Sequence, residues 1–120
     1  MKLFTVLAGL FVAAALVAPA IHAQTASVSG KWHFVLQTEG GERDVNANFQ
    51  QDGNQVTGTW DKAKVKGTFA DGKLNLVFPI DSEEAGPGTL TLKGQLEGDT
   101  LNGTWAFQIY DGQFKATRTH

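Results

Sequence analysis

From residue 31 onward, apolar and polar side chains alternate in short runs, and a turn-forming pair of residues follows nearly every run. A period of two is the mark of a half-buried strand, and no stretch of this region offers the 3.6-residue period of an amphipathic helix. Eight strands follow from the pattern, over 31–38, 43–51, 54–61, 64–70, 73–79, 89–97, 100–110 and 113–119. Asp71-Gly72 and Asp111-Gly112 are the strongest two-residue hairpin signals. Gly40-Gly41, Asp52-Gly53 and Gly98-Asp99 come next, and Lys62-Ala63 is the weakest. Only 80–88 reads as a long connection.

Each turn can be checked by asking what it brings face to face, because cross-strand pairs on one side of a sheet should match. The turns as read put Leu36 opposite Val45, Trp32 opposite Phe49, and Phe49 opposite Val56. They put Trp60 opposite Val65, Phe69 opposite Leu74, Leu96 opposite Leu101, and Leu92 opposite Trp105. The last hairpin puts Ile109 opposite Phe114 and Phe107 opposite Ala116. A slip of one residue would send every one of these to the wrong face. The other face carries Asn46, Asn48, Thr57, Thr59, Lys64, Lys66, Asn102 and Lys115. An eight-stranded sheet with one apolar face must curl to bury it, and closure also removes its edges. The expected fold is therefore all-β, an eight-stranded antiparallel up-and-down barrel, with a flattened two-sheet sandwich as the alternative. A barrel made for lipid would reverse the pattern, so membrane insertion of the mature chain is not expected.

The first part of the chain has a different character. Lys2 precedes an apolar run to Val17, and small residues follow to Ala23, the plan of a cleavable secretory signal peptide. Cleavage is expected after Ala23, with Ala20 as the alternative, leaving 24–29 as a short polar leader and a barrel domain from residue 30. The mature protein is then secreted, either periplasmic or extracellular. It would carry nine Lys and Arg against twelve Asp and Glu, a net charge of −3. A mildly acidic surface of mixed sign argues against a nucleic-acid partner. There is no cysteine, so no disulfide supports the fold and the core must do so alone.

Little in the chain suggests catalysis. With His22 in the signal segment, His33 and His120 are the remaining histidines, and the serines form no nucleophile elbow. No pair of histidines has metal-ligand spacing, so neither metal nor cofactor is expected. His33 reads as an outward residue between Trp32 and Phe34. Asp81, Glu83 and Glu84 crowd the 80–88 connection, which makes it a candidate lid over a barrel mouth. A row of small residues runs along the inward face, with Ala47 read opposite Gly58, Gly58 opposite Gly67, and Gly94 opposite Gly103. Glycine weakens a strand, so the row needs a reason. Either it lets a small sheet coil while rings lie across it, or it opens a void lined by Trp32, Phe34, Trp60, Leu76, Trp105 and Phe107.

Gly30-Lys31-Trp32 at the start of the first strand, and the inward Arg118 near the end of the last, resemble the lipocalin and fatty-acid-binding superfamily. Gly58-Thr59-Trp60 and its echo Gly103-Thr104-Trp105 are similar to strands of avidins and of bacterial secreted lipocalin-like domains. The resemblance implies an up-and-down barrel in which Arg118 packs on Trp32, with Gly30, Trp32 and Arg118 closing one end. It also implies a small apolar molecule bound from the other end. The superfamily's Thr-Asp-x-x-Tyr motif, its disulfides and its flanking helices have no counterpart here. The leading expectation is a non-enzymatic protein holding a small hydrophobic ligand in the barrel. The alternative is a solid barrel acting as an interaction or structural module through its surface and the 80–88 segment. Oligomeric state is left open by the few isolated outward apolar residues.

Overall fold

The computed structural model describes residues 26–119. The expected signal segment, its cleavage site and His120 lie outside the described residues. Eight strands run β1 (Gly30–Thr38), β2 (Gly41–Asp52), β3 (Gln55–Trp60), β4 (Ala63–Ala70), β5 (Lys73–Ser82), β6 (Gly86–Glu97), β7 (Thr100–Phe107) and β8 (Tyr110–Thr119). Each strand pairs antiparallel with the next, and β8 returns to β1, so the sheet closes into a barrel. The sandwich alternative is not adopted. Lys31 lies opposite Thr119 at the seam, and Trp32 lies opposite Arg118.

Burial alternates along most of each strand, though Gly41 to Asp44 at the start of β2 are all exposed, and twenty apolar side chains form one interior cluster. Phe34, Val56, Leu76, Leu92 and Leu101 are wholly inaccessible. Each large apolar side chain removed from water contributes about 1.5–3 kcal/mol, and no buried polar side-chain atom among the described residues lacks a partner.

Apart from Ile109 the inward face is as read from sequence, but four of the seven hairpins differ in register. The turns at Asp71-Gly72 and Gly98-Asp99 stand where expected. The first three turns are displaced by one residue, to Glu39-Gly40, Gly53-Asn54 and Asp61-Lys62, which shifts each pairing by two. Leu36 therefore faces Arg43, Phe34 faces Val45, Phe49 faces Gly58, and Trp60 faces Ala63. The last hairpin moves furthest. Phe107 pairs with Tyr110 around a Gln108-Ile109 turn, so Asp111-Gly112 lies within β8, opposite Ala106 and Trp105. Ile109, expected inside, is 88% exposed.

One physical rule accounts for these displacements. Directly opposed inward side chains stand only about 4.5–5.5 Å apart at Cβ, and an eight-stranded barrel is just wide enough to be filled. Within the bore no two rings share a rung, and the paired Phe107 and Tyr110 stand at the rim, where Tyr110 is 43% exposed. In the observed register Trp32 is opposite Ala47, which also faces Trp60 from its other side. Phe114 is opposite Gly103, and Trp105 is opposite Gly112. The expected pairing of Ala47 with Gly58 and of Gly58 with Gly67 gives way to these ring-against-small arrangements, whereas Gly94 does face Gly103.

The 80–88 segment is not a loop. Ile80 pairs with Gly88, Asp81 with Pro87 and Ser82 with Gly86, so β5 and β6 continue as a projecting hairpin with residues 83–85 at its tip. The polar, proline- and glycine-rich composition favours a turn, but the ladder continues because Ile80 keeps the inward phase of Leu76 and Phe78.

The inward glycines mark close approach of backbone or ring. A Cβ on Gly103 would fall 1.8 Å from the carbonyl oxygen of Lys93, and one on Gly67 would fall 2.1 Å from that of Asn75. Gly103→Val should therefore push β6 and β7 apart and cost about 3 kcal/mol or more. Gly40→Ala, at a turn with only the Thr38 hydroxyl near, should stay within about 0.5 kcal/mol of the parent. Urea midpoints of the two variants measure the difference.

Candidate functional site

The strands place the barrel's two ends in different chemical settings. At one end lie the start of β1, the end of β8, and the turns after β2, β4 and β6. Arg118 organises this end. Its guanidinium sits 4.6 Å from the centre of the Trp32 ring, an arrangement worth roughly 0.5–2 kcal/mol. Nε donates to Asp99 Oδ1 at 2.9 Å. Nη1 donates to the Ser29 carbonyl at 2.7 Å and Nη2 to that of Ser27 at 2.9 Å. Gly30 adopts φ of +127°, and the Arg118 side chain passes 3.7 Å from where its Cβ would be.

This end contains a plug that the sequence reading left in the polar leader. Val28 is fully buried. Its carbonyl accepts the Trp32 indole N–H at 2.9 Å, and its amide donates to Gln51 Oε1 at 2.9 Å. The Gln51 backbone N–H in turn donates to Ser29 Oγ. Val28, Gly30 and Trp32 share one parity, so extending the alternation of β1 backward would have placed Val28 inside. Gln51 and Asp99 carried no such signal.

At the other end the hairpin tip bends toward the β1–β2 side of the rim. Glu84 at the tip forms an ion pair with Arg43 on β2. In strand order the short β3–β4 hairpin, whose turn lies at Asp61-Lys62, comes between β2 and β5. Gln108 ties in the third element, its Nε2 donating to the carbonyls of Ala85 and Pro87 at 2.9 and 3.0 Å. Val45, Ala63, Ile80 and Ala85 are partly buried against the core at this rim. Asp81 and Glu83 are exposed and make no ion pair with another described residue. Of the candidate lid residues, Glu84 alone reaches across the rim.

The six side chains suggested as a ligand lining are the core itself. Phe34 and Leu76 are 0% exposed, Trp32 1%, Trp60 5%, Phe107 6% and Trp105 8%. Phe34 touches Trp60, Phe114 and Phe49 at ring separations of 4.8, 5.2 and 5.9 Å, and Trp60 meets Phe78 at 5.9 Å. The Trp105 indole donates to the Gln37 carbonyl at 3.1 Å. Two hollows, of about 360 and 290 Å³, lie against the outer wall and open to solvent. The first is bordered chiefly by Lys31, Asn46, Asn48 and Thr59, the second by Lys73, Asn75, Lys93 and Gln95. His33 points outward, with Nδ1 3.1 Å from Asn46 Oδ1 and Nε2 3.5 Å from Asp44. Among the described residues no group of His, Asp or Glu is arranged to hold a metal ion.

The geometry defines a closed, filled, eight-stranded antiparallel barrel, an architecture compatible with a calycin-like fold. No family model matches the chain, and no curated protein does.

The two ends should respond differently to substitution. Arg118→Met removes three charge-assisted hydrogen bonds from a mostly buried side chain and strips the plug of its anchor. It should cost about 2–4 kcal/mol. Arg43→Gln removes an ion pair between exposed partners and should cost less than about 1 kcal/mol. Equilibrium urea unfolding of both variants, followed by tryptophan fluorescence, checks the contrast.

Proposed function

We propose that the mature protein is a secreted, non-enzymatic interaction module with a solid core. In this reading it engages its partner through the rim formed by the β5–β6 tip and the β7–β8 turn. The observation that carries this reading is the occupancy of the barrel interior. The six residues that would have to line a ligand chamber are 0–8% exposed and packed against one another. A chamber near the ~300 Å³ of small-molecule sites would require several of these rings to leave the core. The rim, in contrast, combines a projecting hairpin, polar latches and partly buried apolar side chains in one place. The absence of cysteine and the scarcity of histidine in the sequence speak against covalent or acid–base catalysis.

Two measurements on protein exported by its natural host test the proposal. Native mass spectrometry should return the mass of the bare chain. A photo-crosslinking amino acid at Glu83 should yield a discrete protein adduct, and one at Thr104 on the wall should not. A reproducible small-molecule mass that is lost on denaturation would overturn the proposal in favour of an internal ligand. Equal crosslinking from wall and rim would also overturn it.

A further inference from the structure

Three large apolar side chains are well exposed among the described residues: Val77 at 55%, Ile109 at 88% and Tyr110 at 43%. Val77 is isolated on the wall. Ile109 and Tyr110 are consecutive and stand at the rim. We propose that Ile109 and Tyr110 form a docking knob for a basic, apolar-tipped segment of another protein, which rests on the rim reading given above.

The first argument is that Ile109 does nothing for the fold. It occupies the apex of a two-residue turn and is nearly as accessible as in an extended chain, so it contributes almost no burial. A polar residue would serve the turn as well or better. The second is that the knob is held rigidly. Gln108 adopts φ of +56°, a conformation that non-glycine residues rarely hold. Its side chain is fastened to the carbonyls of Ala85 and Pro87. Nearby, Phe107 packs so closely on Gly88 that a Cβ there would lie 2.7 Å from the ring. The two hairpin ends therefore move as one body, and an apolar anchor presented this way loses little entropy on binding.

The occupant is selected by charge. Residues 80–88 and 106–113 hold Asp81, Glu83, Glu84 and Asp111, with no Lys, Arg or His. Of the cations at this end, Arg43 is engaged by Glu84, and Lys62 lies on the β3–β4 turn beside Asp61. An apolar knob on two hairpin ends whose charged residues are all carboxylates favours a segment in which Lys or Arg flanks an apolar side chain, and repels an acidic one. The contact area is small, so the affinity belongs to the transient class.

The test uses synthetic peptides against isotopically labelled mature protein, read by amide chemical shifts. A heptapeptide alternating lysine and leucine should shift resonances in 80–88 and 106–113. A lysine–serine peptide should bind at least tenfold more weakly, and a glutamate–leucine peptide should not bind. Ile109→Ser should reduce lysine–leucine binding at least tenfold while leaving the urea midpoint unchanged. Shifts spread over the wall, equal binding of the acidic peptide, or full binding by Ile109→Ser would each overturn the inference. If Glu83 crosslinks a partner in the host but the lysine–leucine peptide does not bind, the rim reading survives and the basic-partner inference falls. If neither occurs, both fall.

Discussion

A barrel of eight strands has room for one layer of large side chains across its bore, and that limit governs the rest of the structure. Several of the rings that enter stand opposite a small residue on an adjacent strand. Ala47 lies between Trp32 and Trp60, Gly103 lies opposite Phe114, and Gly112 lies opposite Trp105. The glycines give up strand stability and side-chain burial locally, and the aromatic cluster around Phe34 recovers it through close ring contacts. Register and turn position in the displaced hairpins follow from this pairing of large with small. With no disulfide available, the filled interior carries the stability of the domain.

The two ends answer that constraint in different ways. At the closed end the chain before β1 turns inward and seals the core with Val28, and Arg118 spends its donors on the carbonyls that hold this segment in place. At the other end Ala85, at the β5–β6 tip, packs partly buried against the core. The rim is drawn together by contacts among hairpins, through Gln108 and the Arg43–Glu84 pair, leaving apolar and acidic groups on the surface. The closed end is a structural seal, and the rim is where chemistry faces solvent.

The sequence disclosed these features unequally, for physical reasons. Which face of each strand points inward was legible, because burial enforces alternation and a slip by one residue would reverse it. A slip by two reverses nothing, so the displaced turns after β1, β2 and β3 were invisible to a test based on polarity. A test based on size would have rejected Trp32 opposite Phe49. Asp111-Gly112 misled because its turn propensity is strong locally. The need for a residue without a side chain beneath the Trp105 indole, where a Cβ would lie 2.8 Å from Nε1, outweighs that propensity. The Trp32–Arg118 contact was legible because closure makes neighbours of the first and last strands. Val28 was not, because a polar leader gave no reason to extend the strand phase backward. Ile109 was not, because an exposed isoleucine violates the pattern on which the reading depended.

The seam between β1 and β8 has a consequence for how the molecule is made. Every other strand pair joins sequence neighbours through a short turn and can form as soon as both strands exist. The seam joins residues about ninety positions apart, as in the bonds from Arg118 to Ser27 and Ser29. Its loop-closure entropy must be met before its contacts repay it. Until β8 arrives, the sheet has an unpaired first strand with Trp32 uncovered. The hairpins are thus assembled locally, and the final strand converts them from a curled ribbon into a single cooperative unit.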